Sequence, residues 1–595
     1  MWNLQSRIAA IALLSSALCQ GMDLHALPEF SRPDPLGGIV AVDSAGSKFA
    51  AVVQVTAARG GYASFHLIAK LDHPADYEVS INFPLTVDVY REWFHFNTPD
   101  KKYYPDALIP VTSPYRSKLP EPDNRIPEHT AQAFWIDVWI PTSTAPRTYR
   151  GEARLTSGTG RKAIPIEITV LSAVVPEKDA VTLDSNSYGT SWLEEQYPKT
   201  LAGLSKNQEP LFKLIHQYHR VFYDHRGTFH QLGYGHAGKV GPEFGPETTG
   251  SGVQKHISSW SQFDRHYGPL FDGSAFKDSR RGPRPIPYVY LPINPEWPAS
   301  FLWWGEPGYE AEFVNVVSEM EKHFREKNWT STRMEVFFNH KKRYKGFPWD
   351  GDEIRFERDN RYLVDYRRML DKAVPANSPV QFIMRADSSW TMEHQFEELK
   401  GIIKFWVVGE GSFSWYPGAA KRLKDRGDTV WTYGGTPTVQ SISTKMTLNP
   451  LRSWITGVDG FVRWLTISPG ADPWYHFGGG GEVLVYSGER FGRPEPLAGI
   501  RLKLQRNCLQ DLALLEAASQ KGSREQIQQE VVKRYNGTRL ADWHNTPPAL
   551  LAKPVLEWNN ADFDDALKPY EARFANLDLG AWQRVRDYAL SLEAR

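Results

Sequence analysis

Two adjacent carboxylates, Asp352 and Glu353, stand in the segment FPWDGDEIRF, preceded by Pro348 and Gly351 and followed by the apolar Ile354. A close acid pair splits its pKa values, because a second charge is costly beside the first, so one member can stay protonated near neutral pH. That property suits cleavage of a glycosidic bond. The reaction needs an acid to protonate the leaving oxygen and a second group to stabilise charge at the anomeric carbon. Adjacent residues on a regular strand point to opposite faces. Both carboxylates can therefore serve one ligand only from a turn or irregular loop, which Pro348 and Gly351 favour. A solvated acidic turn is the plainer reading of the same residues. Glu410, in VVGEGSFSWYPG, is a second acid, set between glycines and followed by Trp415 and Tyr416; its plainer role is a cap or a solvent-facing charge. Asp184, in VTLDSNSYG, has a similar standing.

The histidines His216, His219, His225, His230 and His236 invite a metal reading. No Glu stands between them in the H-E-x-x-H arrangement, and Cys19 and Cys508 are the only cysteines. No metal and no other cofactor is expected. His230 and His236 suit hydrogen bonds to sugar hydroxyls better. A G-x-S-x-G elbow with an ordered triad is also missing, against an esterase. The chain carries 21 Trp, 26 Tyr and 30 Phe, enough for both packed cores and a groove in which indoles stack on pyranose faces. Lys plus Arg and Asp plus Glu each total 69, so net charge gives no case for nucleic acid or an anionic membrane surface.

Residues 1–21, MWNLQSRIAAIALLSSALCQG, read as a signal peptide, with one Arg before a short apolar run. Export to the periplasm or the exterior is expected. The S-A-L-C tetrad weakly resembles a lipoprotein box, which would anchor the chain by lipid at Cys19, although Leu18 fits that box poorly. No later stretch has the length and apolarity of a membrane span.

These residues need elements to position them. Residues 22–178 read as short alternating strands punctuated by Gly, Pro, Asp and Ser, the pattern of an antiparallel β-sandwich. Residues 179–510 alternate strand and helix. Eight strand candidates, from VTLDSNSYG to GFVRWLTIS, predict a (β/α)8 TIM-like barrel, with a doubly wound open sheet as the competing fold. Residues 511–595 read as a helical extension against the barrel exterior, and Ile500 to Ala518 as a helix with Arg501, Lys503, Arg506 and Asp511 on its polar positions. The expected fold class is thus multidomain: sandwich, barrel and helical C-terminal extension. Barrel sites are built by the loops after the strands. Asp184, His230, Asn339 with Lys341, Arg385 with Asp387, Glu410, Tyr433 and Trp464 all fall near such strand ends. Trp415, Tyr433, Trp464 and Trp474 are candidate sugar-stacking walls. Arg385 or Lys341 could bind an anionic sugar or pair with the carboxylates. The four glycines Gly478–Gly481 read as an active-face loop or a linker.

The stretch MEVFFNHKKRYKGFPWDGDE resembles the core of the glycoside hydrolase family 123-like proteins, in which a strand ending in Asn-x-Lys leads to Trp-x-x-Asp-Glu. The matches are Asn339, Lys341, Trp349, Asp352 and Glu353. Downstream, Gly460, Trp464, Asp472, Pro473, Trp474, Tyr486, Gly488, Arg501 and Leu502 match that group's C-terminal barrel region. The resemblance implies a sandwich plus barrel and a retaining N-acetylhexosaminidase that uses the substrate's acetamido group as nucleophile. Asp352 would orient that group, and Glu353 would be acid and base. Two positions depart from the family pattern: Ile354 stands where the family has Pro after the acid pair, and His340 where it has Asn before the lysine. The expected function is a glycoside hydrolase acting on an extracellular or periplasmic oligo- or polysaccharide, with exo action included. A polysaccharide lyase and a non-catalytic glycan-binding protein are the alternatives.

Overall fold

The computed structural model describes the chain outside residues 1–20, 189–190, 204–207, 233–241, 300–305, 346, 355, 389–391, 411–416, 468–469, 471, 545–551, 553–576 and 594–595. Nearly all of the segment read as a signal peptide, with Cys19, lies outside the described residues, as do Trp415 and His236. Among the described residues no helix is long and apolar enough to cross a membrane.

Ten strands build the first domain: β1 (Met22–Pro28), β2 (Val53–Arg59), β3 (Gly61–Leu71), β4 (Ala75–Asn82), β5 (Thr86–Asn97), β6 (Lys102–Val111), β7 (Tyr115–Leu119), β8 (Ala131–Ile140), β9 (Arg147–Ser157) and β10 (Gly160–Val174). They form two five-stranded sheets, ordered β1-β3-β8-β5-β6 and β2-β10-β9-β4-β7. The sheets are antiparallel apart from the β2–β10 pair, which is parallel. Phe65, Leu67, Phe134, Ile136 and Val138 from one sheet meet Leu155, Ile166 and Ile168 from the other. Strand β8 is apolar almost throughout because both its faces are covered. Phe134, Ile136 and Val138 enter the sandwich core, while Trp135 and Asp137 face the opposite way.

The second domain starts with β11 (Thr182–Tyr188) and β12 (Gly227–Leu232), followed by a small hairpin of β13 (Glu247–Thr249) and β14 (His256–Ser259). The remaining barrel strands are β15 (Tyr288–Tyr290), β16 (Arg333–Phe337), β17 (Gln381–Ser388), β18 (Phe405–Gly409), β19 (Thr429–Gly434) and β20 (Gly460–Arg463). The order is β12-β11-β20-β19-β18-β17-β16-β15, and every pairing is parallel. The β11–β20 ladder joins the first strand to the last, which an open doubly wound sheet cannot do. The barrel is nearly closed. At its one seam, between β12 and β15, the rings of His230 and Tyr290 lie 4.6 Å apart. Helices such as Glu209–Asp224, Tyr309–Glu326, Asn360–Ala373 and Leu448–Thr456 alternate with the strands.

The helix expected over Ile500–Ala518 runs from Ile500 to Lys521, and Arg501, Lys503, Arg506 and Asp511 on its polar positions are buried. It lies against the face of the first sandwich sheet that points away from the second sheet. Asp137 accepts hydrogen bonds from Arg506 at 2.7 and 2.8 Å and from Lys503 at 2.9 Å. Asp106 on β6 accepts from Arg501 at 2.8 Å and from the Tyr486 hydroxyl at 2.5 Å. The polar positions were read correctly as polar. What they face is a second domain's carboxylates, and a helical period cannot tell that from water. The last described helix, Ala581–Glu593, docks on this one, with Arg586 bridging Asp511 at 2.9 Å and Glu29 at 2.6 Å.

Candidate active site

Residue by residue along β16, the chain alternates between core and barrel interior, and Glu335 points inward while Met334 and Val336 join the outer core. Beyond the strand, Asn339 is fully buried and Lys341 reaches back over the barrel mouth. The chain then returns through Trp349, stacked 4.9 Å from Tyr362, to Gly351, whose N–H donates to the His340 carbonyl at 2.9 Å. A Cβ on Gly351 would stand 2.6 Å from both His340 Cε1 and Phe338 Cβ, so this close approach requires glycine. Glu353 has a φ of +48°, a left-handed conformation costly for a residue with a Cβ.

This irregular loop does what a regular strand could not. The Lys341 ammonium lies 3.1 Å from Asp352 Oδ2 and 2.9 Å from Glu353 Oε2. Burial disfavours the ammonium, but the two carboxylates outweigh it and hold the lysine pKa above its ordinary value. The hydroxyl of Tyr433, at the end of β19, donates to Glu353 Oε1. Trp464 follows β20, its ring 6.1 Å from that of Tyr433. Asp352 is almost wholly buried, whereas the Glu353 side chain keeps 23% of its exposure and so remains open to a ligand. A second brace comes from the helix Met392–Glu398. Gln395 donates to the Ile354 carbonyl at 2.6 Å and accepts from the Ser388 hydroxyl at 2.7 Å, tying the acid loop to the end of β17.

Beneath the loop a row of buried ionisable groups crosses the barrel. Asp184 on β11 pairs with His230 Nδ1 at 2.5 Å, and His230 Nε2 lies 2.7 Å from Glu335 Oε1. Arg385 on β17 donates to Glu335 Oε2 at 3.1 Å, to the Tyr290 hydroxyl at 2.6 Å, and through two teeth to Asp387 at 2.7 and 3.1 Å. Burial opposes charge on His230, but Asp184 and Glu335 outweigh it and push its pKa up to about 9. Burial raises the Asp387 carboxyl, Arg385 opposes, and the charges of Asp352 and Glu353 raise it again, to about 7.

The sequence candidates thus fall into groups. Asp352, Glu353, Lys341, Tyr433 and Trp464 meet at the mouth, with Asn339 at the root of the same loop. Asp184, His230 and Arg385 lie below, joined in one row through Glu335. Glu410 turns aside to Arg452 at 2.5 Å and Asn449 at 3.1 Å on the helix Leu448–Thr456. Trp474 is a correction: it is buried against the sandwich, its carbonyl accepting from Trp93 Nε1 at 3.1 Å, so it offers no wall to a ligand. The Gly478–Gly481 run is likewise tied inward, with the Gly480 carbonyl accepting from Arg501 at 2.5 Å and the Gly479 carbonyl from the Val439 N–H at 2.9 Å. Sequence reasoning missed Glu335 and Gln395. The signal for Glu335 was a charge between the apolar Met334 and Val336 in mid-strand, where the alternation puts it on the face opposite the outer core. Gln395 carried no such signal.

No protein-family profile and no curated protein sequence matches this chain. Among solved structures, a family 123 glycoside hydrolase from Clostridium perfringens, described in terms of glycolipid glycan hydrolysis, superposes with a TM-score of 0.62 at 12% identity, over 96% of this chain and 99% of that one. A Clostridium thermocellum endo-1,4-β-D-xylanase, 10B, gives 0.32 at 8% identity over 75% and 88%, and β-glucuronidase 3 of Bacteroides uniformis 0.29 at 11% over 81% and 55%. The first likeness shows that the chain shares the sandwich-plus-barrel fold of the family 123 structure along nearly its whole length. The other two add nothing to the fold.

Proposed function

We propose that the protein is a glycoside hydrolase whose acid pair is Asp352 and Glu353. The observation that carries this reading is the convergence of both carboxylates on the single ammonium of Lys341, at the C-terminal mouth of the barrel. Glu353 is the acid/base: it is the more exposed of the two, and Tyr433 and Lys341 fix its two oxygens. Asp352 is the orienting group. The family resemblance of the loop supports a substrate bearing a 2-acetamido group. That group would attack the anomeric carbon while Asp352 accepts its N–H and Glu353 protonates the leaving oxygen. Glu353 then deprotonates the water that opens the intermediate.

The lyase alternative gains no support from this geometry. Abstraction beside a uronate needs a cation to neutralise its carboxylate, and Lys341 and Arg385 are both committed to protein carboxylates. The test is product analysis on a glycan panel rich in terminal and internal N-acetylhexosamines, with Glu353→Gln alongside. New reducing ends that vanish in the variant support the assignment. Equal activity in both proteins would overturn it, and unsaturated uronates would mean a lyase.

A further inference from the structure

Tyr433 and Trp464 wall one side of the barrel mouth, and Trp474 is buried away from it. A further aromatic ring stands open at the same mouth. Phe356 lies in the loop between β16 and the helix Asn360–Ala373, three residues beyond Glu353, and keeps 47% of its exposure. Loops that follow barrel strands gather at the C-terminal mouth. A single exposed apolar side chain is ordinary on a protein surface. What sets Phe356 apart is how rigidly it is held and what it stands opposite.

The backbone is pinned on both sides of the ring. The Ile354 carbonyl accepts from Gln395 at 2.6 Å, and the Phe356 carbonyl accepts from the Asp359 N–H at 2.8 Å, closing the turn that leads into the helix. Two cations flank the ring: the Arg358 guanidinium carbon lies 4.6 Å from its centroid and the Lys342 ammonium 5.3 Å. Lys342 is kept there by the buried carboxylate of Asp359, 2.8 Å from its Nζ. Such contacts fix the plane of the ring, and nearly half of the side chain still faces solvent. A fixed apolar surface with hydrogen-bond donors at its margin suits a pyranose, whose C–H face covers the ring while its hydroxyls meet the donors. The strand order sets this platform opposite the other wall: β20, which leads into Trp464, is four places from β16 in the ring of eight. Glu353 reaches between them, its Oε1 accepting from Tyr433.

We propose that Phe356 is the platform of a leaving-group subsite and selects substrates whose released group is itself a sugar residue. This rests on the glycosidase reading of the same site. Glu353 protonates the leaving oxygen, so the released group lies on the side of its own loop, and the reacting sugar lies on the side of Tyr433 and Trp464. A sugar stacked on Phe356 adds binding energy away from the bond that breaks, and that energy holds the glycosidic oxygen at Glu353. A small alkyl leaving group does not extend to the ring and gains nothing from it. Discrimination between the two kinds of leaving group therefore passes through Phe356.

The experiment uses two substrates with the same reacting sugar, the one identified in the glycan panel: one releases a sugar residue and the other releases methanol. The quantity read is the ratio of their kcat/KM values in the full chain, Phe356→Ala, Phe356→Leu and Phe356→Tyr. The ratio should fall about ten-fold in Phe356→Ala. Phe356→Leu, which keeps apolar bulk without a flat ring, should match it, and Phe356→Tyr should keep the parent ratio, with thermal melts alike throughout. An unmoved ratio overturns the proposal, and equal losses on both substrates would make Phe356 only a support for the acid loop. A second arm needs no turnover: saturation-transfer NMR follows binding of the panel's oligosaccharides to Glu353→Gln with and without Phe356→Ala. Binding should weaken markedly in the double variant; undiminished binding, or none in either protein, overturns the subsite. If Glu353→Gln turns over like the parent while Phe356→Ala still weakens oligosaccharide binding, the glycosidase assignment fails and the platform stands as a glycan-binding site.

Discussion

A single residue without a side chain decides whether the acid pair can form. Gly351 lies against Phe338 and His340, and the ring of His340 is in turn packed 4.4 Å from that of Trp349 and 4.6 Å from that of Phe347. Burial pushes the His340 pKa down to about 3 against a hydrogen bond with the Trp349 backbone, so this histidine is neutral and packs the loop's base. Gly351→Ala must displace that packed layer. It should cost about 1–3 kcal/mol of stability, as overpacked cores do, and should lower kcat more than it raises KM, because Asp352 and Glu353 are the next residues in the chain. Thermal melts and Michaelis–Menten kinetics check both parts. Tyr433→Phe is the complementary change. It removes one donor from Glu353 and nothing from the fold, so the melt should be unmoved while kcat/KM falls by about ten-fold or more.

At the scale of the barrel strands, the buried row from Asp184 to Asp387 sews together β11, β12, β16 and β17, and it crosses the β12–β15 seam where the backbone ladder is missing. His230 is the stitch at that seam. Its pKa is about 9 in the fold against 6.5 for an ordinary histidine. The stabilisation from its charged form is therefore fully present below pH 6.5 and is lost as pH rises through about 9, amounting to roughly 3 kcal/mol. Denaturant unfolding on either side of that window should show the loss in the parent and a flatter dependence in His230→Gln; equal slopes would mean that the pairing contributes nothing to the seam. The strands themselves were legible from their apolar runs, and so were the acid pair and its need for an irregular loop. The partners were not. Arg385 and Lys341 read equally well as binders of an anionic sugar, because a strand-end position says where a side chain starts and not which carboxylate it meets. Trp474 read as a sugar platform for the same reason: aromatic character suits a ligand and a domain interface alike. Glu410 sits at a strand end as expected, yet Arg452 and Asn449 draw it aside, and both come from a helix some forty residues later in the chain.

At the scale of the whole molecule, the sandwich is a support for the barrel mouth and not an appendage. Arg32, held by Asp43 at 2.6 Å, donates to the carbonyls of Val439 and Ser441 at 2.8 Å each, bracing the segment that follows β19 and hence Tyr433. Below it, the helix Ile500–Lys521 presents Arg501, Lys503 and Arg506 to Asp106 and Asp137 with all of these groups buried. A buried cluster of this kind adds little over an apolar contact of the same shape, but breaking one side of it leaves uncompensated charge at a cost of about 3–5 kcal/mol. Asp137→Asn strands Lys503 and Arg506 together. Because the helix they sit on is shared by sandwich and barrel, the damage cannot stay in one domain. The expected outcome in calorimetry is one unfolding transition for the parent, and one transition at markedly lower temperature for Asp137→Asn. Two resolved transitions, with only one displaced by the substitution, would show instead that sandwich and barrel are stable independently, and the bracing of the site through Arg32 would then have to be local.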